Sequence, residues 1–593
     1  MCGIGGIFCH PDKSIAHTMN SIQRHRGPDG HEVYSDDNIA LAHTRLAIVD
    51  IDGSHQPLKG PSQEILVVNG EIYNHGEIRS HHKHYPWTTK GDSEAILALF
   101  TQSKLESNHT LSAQDHSNWI SKLDCMYAFA LWDPTSELLI LARDPLGIKP
   151  LVRTQHEGSM LFSSEHKGLR ADERHIPEID HIALSARLAW EYPLDATTLL
   201  KEVYQVRPGT VEVWAIDQQG NAQLFDTATH HQTTITPLPW DPLQDAHRLL
   251  ESFTVSVEQR LMSDVPVGIV LSGGLDSSLV AAVADEAAHR AQQPVPECWT
   301  VAESEDNPDY VAAELVASSF NLTHHQHIIE REDLDGAIQN LVWHGEDLDV
   351  TVAFFQPLFQ HMNQHVTVGL CGQGADELHG GYPRYKNIPD HLQLVAQRLE
   401  SIRRDDIAHL SSKQWGDDPR WYAEHHSPEH MSNSLNDFLE FELNHGQLSN
   451  FQLRLVDRHS MAHSLEVRVP FLGSSHRTSA LQLPEEWKLP ATMEEKLALR
   501  KASSVSTLPT EIVNRPKLPA GTATTPTLLA AIVDEYQHQI SDLCNHYKPY
   551  TDVFKHQKEL ALGLGLFEAM HIIDEGRTKK TSSIDQLVSE VLL

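Results

Sequence analysis

Cysteine is scarce, with six in 593 residues, and Cys2, Cys9, Cys125, Cys298, Cys371 and Cys544 follow no regular spacing. That excludes a disulfide framework and points to a reducing compartment. Long apolar runs are missing: none approaches the ~20 residues that cross a bilayer as a helix, so no membrane role is expected. Basic residues are few, 46 Lys plus Arg against 81 Asp plus Glu, for a formal charge of −35. Such a field repels a nucleic-acid backbone unless one face is locally basic, and no basic run supplies that face. The start, Met1-Cys2-Gly3-Ile4-Gly5-Gly6-Ile7-Phe8, lacks the basic stretch, apolar core and cleavage site of a secretory signal. A cytoplasmic location is therefore expected. Histidine is plentiful at 40, but it is scattered without cysteine partners at zinc spacing, and is read as solvated surface groups.

The length exceeds one ordinary core and predicts several domains. Up to about residue 210 the chain is built of short apolar or alternating runs, such as Glu64-Ile65-Leu66-Val67-Val68 and Leu138-Leu139-Ile140-Leu141, punctuated by Gly, Asp and Asn. They predict an antiparallel, strand-rich domain with some helix. Residues from about 217 to 240, beginning Asp217-Gln218-Gln219-Gly220, show neither period and read as a connection. Beyond it, the apolar run Val267-Gly268-Ile269-Val270-Leu271 leads through glycines into the helical Ser278-Leu279-Val280-Ala281-Ala282-Val283-Ala284. A second run, Val366-Thr367-Val368-Gly369-Leu370, again ends in glycines. Strand, glycine turn and helix in that order predict a parallel α/β sheet with ligands at the carboxyl ends of its strands. The expected division is an α+β unit over 1–210, a linker over 211–240, an α/β unit with additional helices over 241–540 and a helical extension over 541–593.

Cys2 becomes the first residue once the initiator methionine is removed. Its thiol then sits beside an α-amine with a reference pKa near ~7.7–8.0, able to act as its own general base. Around it stand Arg24-His25-Arg26-Gly27-Pro28-Asp29-Gly30, His43-Thr44-Arg45, Val68-Asn69-Gly70-Glu71 and Gly91-Asp92-Ser93-Glu94. Together, in this order from Met1 to about Pro208, they closely resemble the glutaminase domain of class II, N-terminal-cysteine glutamine amidotransferases, and the resemblance implies their Ntn-hydrolase fold, an antiparallel sheet sandwich flanked by helices. The resemblance implies that Cys2 attacks the glutamine amide and that Asn69 and the Gly70 N–H form the oxyanion hole. It also implies that Arg45 holds the substrate α-carboxylate and Asp92 its α-ammonium. Arg26 is open to a catalytic or a structural reading, and Arg143 to Pro150 reads as architecture.

Leu271-Ser272-Gly273-Gly274-Leu275-Asp276-Ser277-Ser278 lies between strand and helix. Its glycines and the helix N-terminus make a nest of N–H groups for pyrophosphate, and the Gly-Lys-Ser/Thr ending of a Walker A loop is missing. The turn resembles the PP-loop of ATP pyrophosphatases. Cys371-Gly372-Gln373-Gly374-Ala375-Asp376-Glu377, then Asp457 to Leu472 and Glu495 to Lys501, extend the likeness to the glutamine-hydrolysing asparagine synthetase family over Met1 to about Pro519. The resemblance implies that ATP, as substrate, binds at Leu271, Ser272, Gly273, Gly274, Asp276, Ser277, Gly372, Gln373 and Gly374. It implies Mg²⁺ on Asp276 and Asp376, and Lys496 neutralising charge as pyrophosphate leaves. Glutamine, ATP and aspartate or another carboxylate are the expected small-molecule partners, with a homodimer compatible and an ammonia channel between the domains expected.

The implied reaction adenylates a carboxylate and lets ammonia displace AMP. Gln373 stands where the best-known asparagine synthetases carry Glu, and a primary amide is no useful base at neutral pH. The AMP phosphate or a nearby carboxylate such as Glu346 is then expected to take the proton. Gly473 replaces the Asp common after Pro-Phe-Leu, and 518–526 diverges where the acceptor pocket is expected. Asparagine synthesis, amidation of another carboxylate, and a regulatory protein retaining the fold are the readings carried forward, intact Cys2 and Asp276 weighing against the last.

Overall fold

A computed structural model describes residues 2–107, 109–230, 236–334, 336–402, 434–518 and 524–593. Twelve strands come first: β1 (Gly3–Phe8), β2 (Gly30–Ser35), β3 (Ile39–Arg45), β4 (Leu58–Lys59), β5 (Ile65–Ile72), β6 (Cys125–Asp133), β7 (Leu138–Arg143), β8 (Val152–His156), β9 (Ser159–Ser163), β10 (Tyr204–Gln205), β11 (Thr210–Ile216) and β12 (Ala222–Thr229). They form two six-stranded sheets, ordered β10-β8-β9-β1-β3-β2 and β12-β11-β7-β6-β5-β4. Every pairing in both is antiparallel.

The period-two geometry of a strand sends neighbouring side chains to opposite faces, and here both faces are covered. On β5, Ile65 and Val67 join Phe8, Leu41 and Trp132 between the sheets. Leu66 and Val68 turn outward against Ile96 and Phe100 of the helix Glu94–Glu106. The outer face of the other sheet, with Ile7, Ala40 and Ala42, meets Ala16 and Met19 of the helix Lys13–Ile22. The result is the expected helix-flanked sandwich, and it explains why these strands read as continuous apolar runs.

The third sheet is parallel throughout, ordered β15-β14-β13-β16-β17, from β13 (Val267–Val270), β14 (Glu297–Ala302), β15 (His324–Ile328), β16 (Val368–Leu370) and β17 (Glu466–Arg468). Because β13 and β16 are neighbours, the two glycine turns that follow them lie side by side.

Three expectations need correction. Residues 211–240 are not all linker: β11 pairs with β7 and β12 with β11, completing the second sheet. Asp217-Gln218-Gln219-Gly220 is the turn between them, with the Gln219 and Asn221 N–H groups donating to Asp217 Oδ1 and Gly220 at φ +85°. β12 is an edge strand whose side chains are mostly exposed, Leu224 and Phe225 among them, so it carries little alternation to read. Of that segment, 231–235 lie outside the described residues, as do 519–523 of the divergent stretch.

The segment 541–593 is not an appendage. The helix Gln537–His546 crosses the expected boundary, and the helix Lys558–His571 is buried in the core that also holds Leu279 and Val280. A Cβ at Gly563 would overlap the Leu348 carbonyl. Gly563→Ala is accordingly expected to destabilise the fold by about 1–3 kcal/mol, read as a lower denaturation midpoint. Nor are the histidines all solvated: His43, His116, His166, His175, His344, His379, His459, His476 and His571 are buried, each holding a place in packing that composition cannot reveal.

Candidate active sites

Cys2 lies at the head of β1 and is buried. Its backbone N–H donates to Asn69 Oδ1 at 3.1 Å, and the Leu46 N–H points at the thiol. The other end of that amide, Asn69 Nδ2, is buried with no hydrogen-bond partner among the described residues. An orphaned buried donor beside a thiol is costly unless something else is meant to accept from it. Gly70 is required by packing, since a Cβ there would sit 2.6 Å from Tyr127 Cα on the neighbouring β6. Two residues further along β5, Ile72 donates its N–H to Asp92 Oδ2 at 2.6 Å. Arg45, next to Leu46, donates to the Ile51 and Asp50 carbonyls at 2.8 and 2.9 Å. Cys2, Asn69, Gly70, Arg45 and Asp92 thus gather around adjoining ends of β1, β3 and β5.

Burial pushes the Cys2 thiol up, and Glu71 and Glu466 add to this while the Leu46 N–H opposes it. Burial likewise raises Asp92, and raises Glu71 far more, with Glu466 and Asp92 as like-charged neighbours. A thiol in this setting is protonated near neutrality and needs a base at the moment of attack.

Arg26 proves to be a tie between the two halves of the chain. Its Nε donates to the Cys2 carbonyl at 3.1 Å, Nη1 to Glu165 at 2.9 Å and Nη2 to Asp457 at 2.8 Å, the last on the helix Leu453–Met461. Glu346 belongs to the same buried network. Its carboxylate accepts from the His166 and Lys167 backbone N–H groups, both at 2.8 Å, and pairs with Lys167 and Arg458. With both oxygens held by donors it is no free base, which corrects the expectation that it takes a proton. Glu466 and Arg468 form a buried pair at 2.5 Å. At Gly473, a Cβ would lie 2.7 Å from Arg260 Cζ, so local packing accounts for the glycine.

The second constellation is built from the two glycine turns. Gly273 has φ +70°, and a Cβ there would lie 2.6 Å from the Ala313 N and the Asp309 O. Gly274 then caps the helix Leu275–Ala291. After β16, Gly372 packs directly on the first turn, where a Cβ would be 2.8 Å from the Ser277 N, and Gly374 takes φ +91° to start the helix Ala375–His379. Asp276 and Asp376 therefore enter one space from the first turns of two helices. Lys496 Nζ lies 2.6 Å from carboxylate oxygens of both. Lys517 Nζ lies 2.7 Å from Asp376 and 3.7 Å from Asp276. Burial opposes ionisation of Asp376, but Lys496 and Lys517 outweigh it and hold its carboxyl below the usual range.

Two cavities adjoin this cluster. One, of about 80 Å³, is lined by Ser272, Gly274, Asp276, Ser277, Lys496, Arg500, Arg515 and Lys517 among others. The other, of about 160 Å³, has an apolar wall including Trp299, Val301, Phe354, Phe355, Leu358 and Phe359, and a polar side with Ser272, Gln373, Asp376 and Lys517. The first suits polyanionic groups, and the second a flat apolar ring plus one polar group. Lys517, Arg515 and Asp309 were missing from the sequence reading, and Arg500 stood in it only as part of the Glu495 to Lys501 motif, without a role. Asn514-Arg515-Pro516-Lys517 sits in an aperiodic stretch whose only signal is two basic residues beside a proline.

Residues 248–561 match the asparagine synthase family, and residues 1–225 match a glutamine amidotransferase domain. Asparagine synthetase [glutamine-hydrolyzing] 1 of Bacillus subtilis (strain 168) is 28% identical across 87% of this chain and 86% of its own length. Asparagine synthetase B [glutamine-hydrolyzing] of Escherichia coli (strain K12) is 30% identical, covering 71% and 72%. Asparagine synthetase [glutamine-hydrolyzing] of Asparagus officinalis is 32% identical, covering 70% and 66%.

Proposed function

The chain belongs to the asparagine synthase family, and from that premise we propose how its two sites divide glutamine-dependent, ATP-dependent asparagine synthesis between them. The observation that carries the assignment is the cluster of Asp276, Asp376, Lys496 and Lys517 at the carboxyl ends of two adjacent parallel strands.

In the N-terminal unit the Cys2 sulfur attacks the glutamine amide carbon, ammonia leaves, and water cleaves the glutamyl thioester. The α-amine freed by removal of Met1 takes the thiol proton. Asn69 Nδ2, the orphaned donor, and the Gly70 N–H receive the oxyanion. Arg45 takes the substrate α-carboxylate and Asp92 its α-ammonium, each moving from its present partner. We place the boundary of this unit after β12, near residue 230, and assign the remainder to the synthetase.

In the C-terminal unit the turns at Leu271 to Ser277 and Gly372 to Gly374 cradle ATP. An acceptor carboxylate oxygen bonds to the α-phosphorus, the bond to the bridging oxygen breaks, and its electron pair leaves on pyrophosphate. Ammonia then attacks the acyl carbon and AMP departs. The donor chemistry fits Mg²⁺, since Asp276 and Asp376 offer hard carboxylate oxygens in one space beside the proposed phosphate cradle. Asp276 and Asp376 would hold Mg²⁺, which would supply positive charge against the phosphates. With Gln373 an amide and Glu346 saturated by donors, the departing AMP phosphate takes the ammonium proton. The partners are small molecules, and the setting is cytoplasmic. No described helix is long and apolar enough to cross a membrane.

Purified protein with ATP, Mg²⁺ and ammonium is expected to release pyrophosphate when aspartate is added, and Gln373→Glu to change that rate by less than about tenfold, because AMP is already a good leaving group. Should aspartate release none while another carboxylate does, asparagine synthesis is refuted and a related amide synthetase stands.

A further inference from the structure

We propose that the buried His379–His476 pair holds the carboxylate of Asp376 and the stem of Lys496 in register, which makes His379 a positioning residue of the synthetase site. The inference rests on the assignment of Asp376 and Lys496 to the adenylating chemistry above.

His379 ends the helix Ala375–His379, which carries Asp376. The turn beyond it closes back on Asp376: the Gly380 and Gly381 N–H groups both donate to the Asp376 carbonyl, the second at 2.9 Å, with Gly380 at φ +73°. Gly381 lies directly against the reacting groups, since a Cβ there would come within 2.1 Å of both Asp376 Oδ1 and Lys496 Cε. A shift of residue 379 is therefore passed through this turn to both side chains. A helix of five residues cannot hold its own end, because its first turn fixes several dihedrals for a single hydrogen bond.

That end is held from outside. His379 Nε2 lies 3.0 Å from His476 Nε2, and both rings are fully buried. Burial keeps His476 neutral, pushing it down to about 3, and burial, His476 and the cations Lys496 and Lys488 keep His379 neutral too. Two neutral imidazoles at this distance share one proton. His476 turns Nδ1 to Ser252 Oγ at 3.2 Å and its ring donates to the Leu249 carbonyl, so its Nε2 accepts and the His379 Nε2–H donates. Phe253 and Phe471 close in on the pair, their ring centroids 5.1 and 5.4 Å from that of His476. In such an apolar surround an unpaired imidazole is costly, so the bond fixes where the helix ends. His476 is in turn placed by Gly473, the cap of the helix Ser474–Leu481. A Cβ at 473 would lie 2.0 Å from Ser256 Oγ, so the glycine lets this helix approach the helix Pro242–Arg260 closely enough for His476 to meet Ser252. The glycine at 473 and the histidine at 379 thus belong to one arrangement, which ends on Asp376.

The test is the kcat of ammonium-dependent pyrophosphate release, measured beside glutamine hydrolysis, in the wild type, His379→Leu, His379→Gln and the double variant His379→Leu with His476→Leu. His379→Leu strands His476 Nε2 and loosens the turn, and is expected to lower kcat by about 10–10²-fold, the scale for a group misplaced by about an ångström, with glutamine hydrolysis unchanged. His379→Gln puts an amide N–H where Nε2 stood and is expected to recover most of the loss. The double variant strands neither ring, since Ser252 Oγ still donates to the Leu249 carbonyl at 2.7 Å, and is expected to fall between the two. A His379→Leu enzyme with the wild-type kcat, or a His379→Gln enzyme no faster than His379→Leu, overturns the proposal. If the wild type releases no pyrophosphate with aspartate or any other carboxylate, it is the underlying assignment that fails. If His379→Leu also loses glutamine hydrolysis and so has not folded, His379→Asn, polar but too short to reach His476, takes its place against His379→Gln under the same criteria.

Discussion

Cys2→Ala is expected to lower glutamine hydrolysis and glutamine-dependent amide formation by about three orders of magnitude or more, while synthesis from added ammonium salts continues near the wild-type rate. The size follows from what the thiol does. The nearest cysteine in sequence is no spare: Cys9, just past the same strand's far end, is buried with its thiol pushed up to about 11 by burial and Asp217. The selectivity follows from what Cys2 touches. Its contacts are Asn69, Leu46 and, through its carbonyl, Arg26, none of which lines either cavity at the second site. Alanine leaves the backbone N–H to Asn69 and the carbonyl to Arg26 intact, so the Arg26 tie to Asp457 survives and the two halves stay joined. Glutamate formed from glutamine is the readout. A variant that still makes it at a comparable rate would remove Cys2 from the chemistry.

The first site was legible because it is assembled from contiguous signals. Cys2, Asn69 and Asp92 each sit in a short motif, and β1 and β5, strands of the two facing sheets, carry two of those motifs to one place when the sheets pack together. The glycines at 273, 372 and 374 were legible for a sterner reason, since Gly273 and Gly374 need positive φ and Gly372 a close backbone approach, demands only glycine meets. What stayed hidden came from elements with no period. β12 is an exposed edge strand, so its pattern resembles a loop. Lys517 owes its place to Glu495 and Arg500, contacts made across an irregular stretch. Glu346 looked like a free carboxylate because nothing in a sequence tells that Lys167 and Arg458 will fold onto it. The C-terminal helix Lys558–His571 read as an addition because its apolar surface runs right round, a pattern that marks burial without saying against what.

Asp276→Asn and Lys496→Ala are each expected to suppress acceptor-dependent formation of AMP and pyrophosphate by about 10²–10³-fold and to spare glutamine hydrolysis. The two arrive there by opposite routes, which makes the pair informative. Asp276 and Asp376 against Lys496 and the half-buried Lys517 make a square of two negative and two positive charges, each ammonium reaching both carboxylates. Asp276→Asn removes a negative charge and an oxygen donor for Mg²⁺, so the loss should grow as Mg²⁺ is lowered and be partly relieved by raising it. Lys496→Ala removes the cation on the pyrophosphate side and leaves Asp276 with only the more distant Lys517, at 3.7 Å. Added Mg²⁺ should not relieve that loss, because the missing charge belongs where the leaving group departs. Neither residue contacts the Cys2 site, so glutamine hydrolysis serves as the internal control for folding. The nucleotide product decides the chemistry independently of either variant. On the proposed reading the turn at Leu271 to Ser277 holds the phosphates for cleavage between α and β, and ADP with orthophosphate as the direct products would contradict that assignment.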